Sequence, residues 1–145
     1  MVGYADTKKL ITDITGEDVK MNRYRDETMR YERRIRDLLD GTELSSGDCD
    51  EIKIEFNNSK TDDLYATCEF IVFHTEDIAM IEWIEVQPSI TGNGVARTLR
   101  RDMLDEIEDK DVYTNIINES MISVATDQGF KQIQSGCLDG WFVRK

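Results

Sequence analysis

The chain has 145 residues, 30 acidic against 18 basic, and a formal net charge of −12. That length suits one domain with a real core, and the charge argues against a general nucleic-acid binder, because phosphate would be repelled by most of the surface. No apolar segment approaches the roughly 20 residues of a membrane span, and the opening MVGYADTKKL lacks the apolar centre of a signal peptide. A cytoplasmic protein without membrane contact is expected. Cys49, Cys68 and Cys137 are odd in number and widely spaced, so they read as reduced thiols and imply no metal.

In chain order, KKLITDI reads as a short first strand. From Glu17 to Asp40 a helix is expected, because Tyr24, Thr28, Tyr31, Ile35 and Leu38 recur four and three residues apart, with Gly41 as its C-cap. Arg23, Arg30 and Arg34 share one face of that expected helix. A solvated face pairing with an acidic body is the plainer reading of it, and a docking surface for an acidic partner the sharper one. After a loop over Thr42 to Asp50 come three strands: Glu51 to Asn57, Leu64 to His74, and Ile78 to Val86. Short polar connectors make them an antiparallel meander. The first alternates Ile52, Ile54 and Phe56 inward against Glu51, Lys53 and Glu55 outward.

Beyond Pro88, the spacing of Val95, Leu99, Met103 and Ile107 predicts a helix running to about Asp109. Val112 to Ile117 reads as a buried strand, Glu119 to Gln128 as a short helix closed by Gly129, and FKQIQ and WFVRK as two final strands. The fold class is α+β, a central mixed, mostly antiparallel sheet of 6–7 strands flanked by about four helices. Trp83 and Trp141 are expected in packing, and His74, the one histidine, at a strand end.

The segment QPSITGNGVARTLRR, residues 87–101, carries the chemistry. It lacks the spacing and the lysine of a Walker A loop, and Arg97 occupies the third glycine position of a dinucleotide fingerprint. A turn there would instead expose the backbone N–H groups of Thr91, Gly92, Asn93, Gly94, Val95 and Ala96 at a helix N-terminus, where orphan donors and the dipole favour an anion. Arg97, Arg100 and Arg101 sit early in the helix while Asp102, Asp105, Glu106, Glu108 and Asp109 crowd its end, the reverse of what the macrodipole rewards. The plain alternative is a tight turn whose arginines pair with acidic neighbours.

IEVQPSITGNGVARTL, residues 84–99, resembles the acetyl-CoA-binding motif of the GNAT superfamily of N-acyltransferases, with Thr91 standing where the family has Gln or Arg. NESMISVATDQGF, residues 118–130, resembles that family's stretch of Asn, short helix and Gly-Phe pair. The resemblance implies a GNAT-like fold over one domain, 1–145, with 1–49 as a helical acceptor-side part and 50–145 as the sheet and acetyl-CoA-binding part. It implies an acyl-CoA N-acyltransferase moving an acetyl group from acetyl-CoA to a primary amine of a small molecule or protein. The pyrophosphate would lie on Thr91 to Ala96, with Arg97 and Asn118 adding to the cofactor site. The pantetheine arm would pair with Ile84, Glu85 and Val86 like an added strand.

A base and an acid complete such a reaction. Glu82 and Glu85 are the base candidates, on opposite strand faces so that at most one serves. Tyr113 is the acid candidate, because Ala125 occupies the position where many family members carry tyrosine. The acidic surface favours a cationic acceptor, and a homodimer is left open. The rival reading is a catalytically inactive GNAT-like binding or regulatory protein, of viral origin for example.

Overall fold

The structure, a computed structural model, describes residues 3–26, 49–74, 77–116, 119–134 and 139–145. The elements run α1 (Ala5–Thr15), β1 (Val19–Asp26), β2 (Cys49–Asn58), β3 (Leu64–Phe73), β4 (Ile78–Val86), a 3-10 turn (Pro88–Ile90), α2 (Val95–Glu106), β5 (Asp111–Thr114), α3 (Glu119–Asp127), β6 (Lys131–Gln132) and β7 (Phe142–Arg144). The strands form one sheet in the order β1-β2-β3-β4-β5-β7-β6, mostly antiparallel. The α+β class and the three central strands match expectation.

Two N-terminal expectations are overturned. KKLITDI is helix, not strand: Thr7 and Ile11, one turn apart, are both fully buried, and Gly16 ends α1 in the left-handed region by donating its N–H to Thr12 O at 2.8 Å. The expected helix from Glu17 is overturned at its start, because Val19–Asp26 is strand β1. Its residues find partners on and beside β2: Asn22 Nδ2 donates to Asn57 Oδ1 at 3.2 Å, and Lys20 pairs with Asp62. Tyr24, expected on a buried helical stripe, is half exposed on this strand. Arg30 and Arg34 lie outside the described residues, as do Thr28, Tyr31, Ile35 and Leu38.

The chain divides into two compact units. The first comprises Met1–Tyr24, Ile52–Phe70 and Glu82–Glu108, so it holds α1, most of β1 to β3, the second half of β4 and all of α2. Its core is built from Ile11, Val19, Ile54, Phe56, Phe70, Val95, Leu99, Met103 and Ile107, each at or below 2% exposure. The apolar stripe of α2 is therefore the one that the spacing predicted. Helix α1 packs on α2, and Asp102 of α2 ties the two together: its carboxylate accepts the Thr7 amide at 3.1 Å and the Thr7 hydroxyl at 2.6 Å. A carboxylate at the first turn of α1 satisfies an orphan donor and offsets the positive end of the dipole.

The second unit comprises Arg25–Glu51, Ile71–Ile81 and Asp109–Lys145. Ile71, Phe73 and Met80 form its buried centre, packed by Ile78, Tyr113, Ile133 and Trp141. Here β4 runs parallel to β5, Ile78 opposite Asp111 through Ile81 opposite Thr114, while β7 pairs antiparallel with both β5 and β6. The expected strand over 112–117 is shorter than its apolar run: β5 ends at Thr114. Among the described residues no helix is long and apolar enough to cross a membrane.

Candidate functional site

The segment between β4 and α2 is held by backbone and side-chain hydrogen bonds. Gln87 donates its N–H to Tyr65 O at 2.8 Å, anchoring the end of β4 to β3. Its carbonyl accepts the Ile90 amide at 3.1 Å and the Thr91 hydroxyl at 3.1 Å, which closes the 3-10 turn. Asn93 Nδ2 donates to Ile90 O at 3.1 Å, and Ile90 itself is buried. The anchoring role of Gln87 was missed in the sequence, where only its place before Pro88 marks it.

Gly92 and Gly94 have φ of 87° and 82°, a region that side chains disfavour, and a Cβ on either would meet nothing within 4 Å. The glycines thus serve the backbone path, and the space above them is open. Gly94 is the N-cap of α2, with no side-chain cap and no acidic residue in the first turn. The first intrahelical bond is Thr98 N–H to Gly94 O at 3.0 Å, which leaves the amides of Val95 and Ala96 at the mouth of the helix, at the positive end of its dipole.

The early arginines of α2 separate in the fold. Arg97 is exposed beside the loop. Arg101 turns towards α1 and pairs with Asp6 at 3.2 Å. Arg100 is only 3% exposed, and burial pushes its guanidinium down to about 10, still cationic at neutral pH.

On β4 the two acidic candidates face opposite ways. Glu82, Ile84 and Val86 are half-buried on one side, while Trp83 and Glu85 are exposed on the other. Trp83, expected in packing, is 54% exposed and donates its indole N–H to Glu85 Oε2 at 3.2 Å. Tyr113 stands in register with Met80 and Val143 and packs on the centre of the second unit. Burial, then the nearby Asp111 charge, raise its phenol above the usual value, so it remains a proton donor at neutral pH. Ala125 is fully buried, and its carbonyl accepts the Phe130 amide at 3.0 Å. Asn118 lies outside the described residues.

The basic residues of β1 pair with the acidic body. Arg23 donates to both Glu106 oxygens, at 2.8 and 2.7 Å. Arg25 and His74 both reach the buried carboxylate of Asp50, at 2.8 and 2.7 Å.

A strand, a short 3-10 turn, a glycine pair and an uncapped helix thus follow one another, in a sheet where β4 and β5 pair in parallel. The chain has the fold of the GNAT acetyltransferases. A GNAT-family acetyltransferase from Staphylococcus aureus Mu50 matches it with a TM-score of 0.54 at 10% identity, over 87% of this chain and 98% of that one. The AtaT toxin, bound to the C-terminus of the antitoxin AtaR and acetyl-CoA, matches with a TM-score of 0.55 at 9% identity, over 88% and 92%. The PaiA N-acetyltransferase from Thermoplasma acidophilum, in complex with coenzyme A, matches with a TM-score of 0.51 at 15% identity over 64% of this chain, which spans 59% of that protein. No family model matches the chain, and no curated protein matches it in sequence. At such identities the likeness is one of fold, and function has to be argued from the site.

Proposed function

We propose that the chain is an N-acetyltransferase that takes acetyl-CoA on the loop Thr91–Ala96 and passes the acetyl group to a primary amine of a small molecule or protein. The observation that supports this most is the uncapped N-terminus of α2 behind two left-handed glycines with open space above them. The amides of Val95 and Ala96 would hold the pyrophosphate, and Arg97 would add positive charge beside it. Ile84 to Val86 would pair by backbone with the amide-bearing arm of the cofactor. When bound, acetyl-CoA supplies the activated acyl group.

Of the two carboxylates, Glu82 suits the base, because it shares a half-buried face with Ile84 and Val86, whereas Glu85 lies on the exposed side against Trp83. It would accept the proton of the attacking amine. Residues 1–49 would shape the acceptor side, and the net charge of −12 favours a cationic acceptor.

A second reading, a binding protein without catalysis, has one observation in its favour: buried Ala125 brings no hydroxyl to the helix position where tyrosine is usual in the resembling family, and Tyr113 is committed to packing. Calorimetric titration with acetyl-CoA followed by a thiol-release assay over a panel of amines decides between the two. Binding with amine-dependent thiol release supports the transferase, and binding without release from any amine supports the second reading. No binding at high micromolar acetyl-CoA sinks the transferase reading.

A further inference from the structure

The loop Thr91–Ala96 joins two pieces that are each held stiffly. On one side, the 3-10 turn Pro88–Ile90 is closed onto the Gln87 carbonyl by the Ile90 amide and the Thr91 hydroxyl, and Asn93 Nδ2 donates to Ile90 O. On the other side, α2 starts at Val95. Between them stand Gly92 and Gly94, both in the left-handed region with open space where a Cβ would be. Glycine restricts the backbone least of all residues, so the loop leaves the angle between turn and helix to be fixed from outside.

Helix α1 touches both pieces. It packs on α2 and on the 3-10 turn, and all three belong to the first compact unit. Its first turn is fastened to α2 by the Asp102 carboxylate, which accepts the Thr7 amide at 3.1 Å and the Thr7 hydroxyl at 2.6 Å. Thr7 is fully buried and Asp102 is 6% exposed, so water competes little with these bonds. Arg101, the residue before Asp102, meets Asp6 at the surface. This seat is at the opposite end of α1 from its Gly16 cap. A strained residue marks the same end: Tyr4, the N-cap of α1, is held at φ 71° with its ring buried against Phe56. A buried carboxylate and a left-handed tyrosine are each unfavourable by themselves, and both fix where α1 begins.

We propose that α1 is a splint across the cofactor loop: seated on α2 through Thr7 and Asp102, it holds the 3-10 turn and the start of α2 at the spacing at which the amides of Val95 and Ala96 converge on one phosphate group. Thr7 and Asp102 are positioning residues, and neither touches the cofactor. Asp102 lies seven residues after Val95, about 10 Å along α2, a span that one helix carries as a rigid rod. Unseating α1 lowers the fraction of chains whose loop has its binding form, and apparent affinity falls by that fraction. The effect on affinity rests on the acetyl-CoA reading above, whereas the effect on the loop does not.

The test compares Thr7→Val, which keeps the shape and the amide bond but removes the hydroxyl donor, with Thr7→Ser, which keeps that donor. Hydrogen exchange on the free chain reads the loop through the Ile90, Thr91 and Thr98 amides, which donate to Gln87 O, Pro88 O and Gly94 O. In Thr7→Val these should exchange about fivefold faster, the loss of roughly one hydrogen bond, while amides of β2 and β3 keep their parent rates and Thr7→Ser behaves as the parent. Calorimetric titration with acetyl-CoA should show affinity about fivefold lower in Thr7→Val and restored in Thr7→Ser. Should Thr7→Val fail to fold, Thr7→Ala, a better helix former, carries the same readings. Loop exchange unchanged in a folded variant, acceleration spread evenly over β2 and β3, Thr7→Ser as impaired as Thr7→Val, or faster loop exchange with unchanged acetyl-CoA affinity would each overturn the splint. If the parent chain binds no acetyl-CoA, the transferase reading falls, and loop exchange alone decides for or against the splint.

Discussion

Gly94→Trp separates what the loop does for binding from what it does for folding. The glycine sits at φ 82°, and a Cβ on it meets nothing within 4 Å. The cost to the fold is then the left-handed backbone alone, about 1–2 kcal/mol, which for a chain of this size lowers the melting temperature by roughly 2–8 °C. The indole, however, would stand in the open space before the amides of Val95 and Ala96. Each hydrogen bond from an amide to a charged phosphate is worth about 1.5–3 kcal/mol. Blocking two of them removes about 3–6 kcal/mol, at least two decades of affinity at about 1.4 kcal/mol per decade. Calorimetric titration with acetyl-CoA reads the affinity, and a thermal melt on the same sample reads the fold. Gly16→Ala is the control, since Gly16 has φ 69° and equally open space but caps α1. It should lower the melting temperature and leave affinity unchanged. If Gly94→Trp binds acetyl-CoA within about threefold of the parent while melting as expected, the cradle reasoning is wrong.

Three further outcomes follow from the geometry. Asp102→Ala removes both hydrogen bonds to Thr7 and should cost about 1–3 kcal/mol in urea unfolding; a change within error would mean that α1 does not depend on this cap. Burial alone would raise the Asp50 carboxyl, but the hydrogen bonds from His74 and Arg25 outweigh it, and the net value lies below the usual 3.8. Its contribution is therefore present above the unfolded aspartate value and lost as pH falls through the lowered one; Asp50→Asn should flatten the decline in melting temperature below about pH 4, and an unchanged acid limb would count against the pairing. Burial pushes the Cys68 thiol up to about 12, so at pH 8 it should resist alkylation in the native chain and react in denaturant, as peptide mapping can show.

Much of the candidate site is legible in the sequence, because its parts are local. Two glycines one residue apart announce a turn, and Val95, Leu99, Met103 and Ile107 announce a buried helical stripe directly behind it. What eluded the sequence depends on partners far away. The helix expected from Glu17 does not begin there: Val19 to Asp26 lies beside β2, and its partner strand lies more than thirty residues on, beyond the reach of any local pattern. The faces of Glu82 and Glu85 were likewise open, since alternation says only that they differ. Which face is half-buried was settled by what packs there.

The sequence by itself determined the central meander, the helix after the glycine loop, and the turn that joins them, because alternation, helical period and glycine turns are properties of neighbouring residues. Tertiary structure alone decided that β1 is a strand, that Trp83 faces water, that Arg100 is buried while Arg101 turns to Asp6, and that Asp102 caps a helix 95 positions away. The reason is physical: a hydrogen bond or a buried face exists only once the chain has brought both partners together, and no local pattern encodes the second partner.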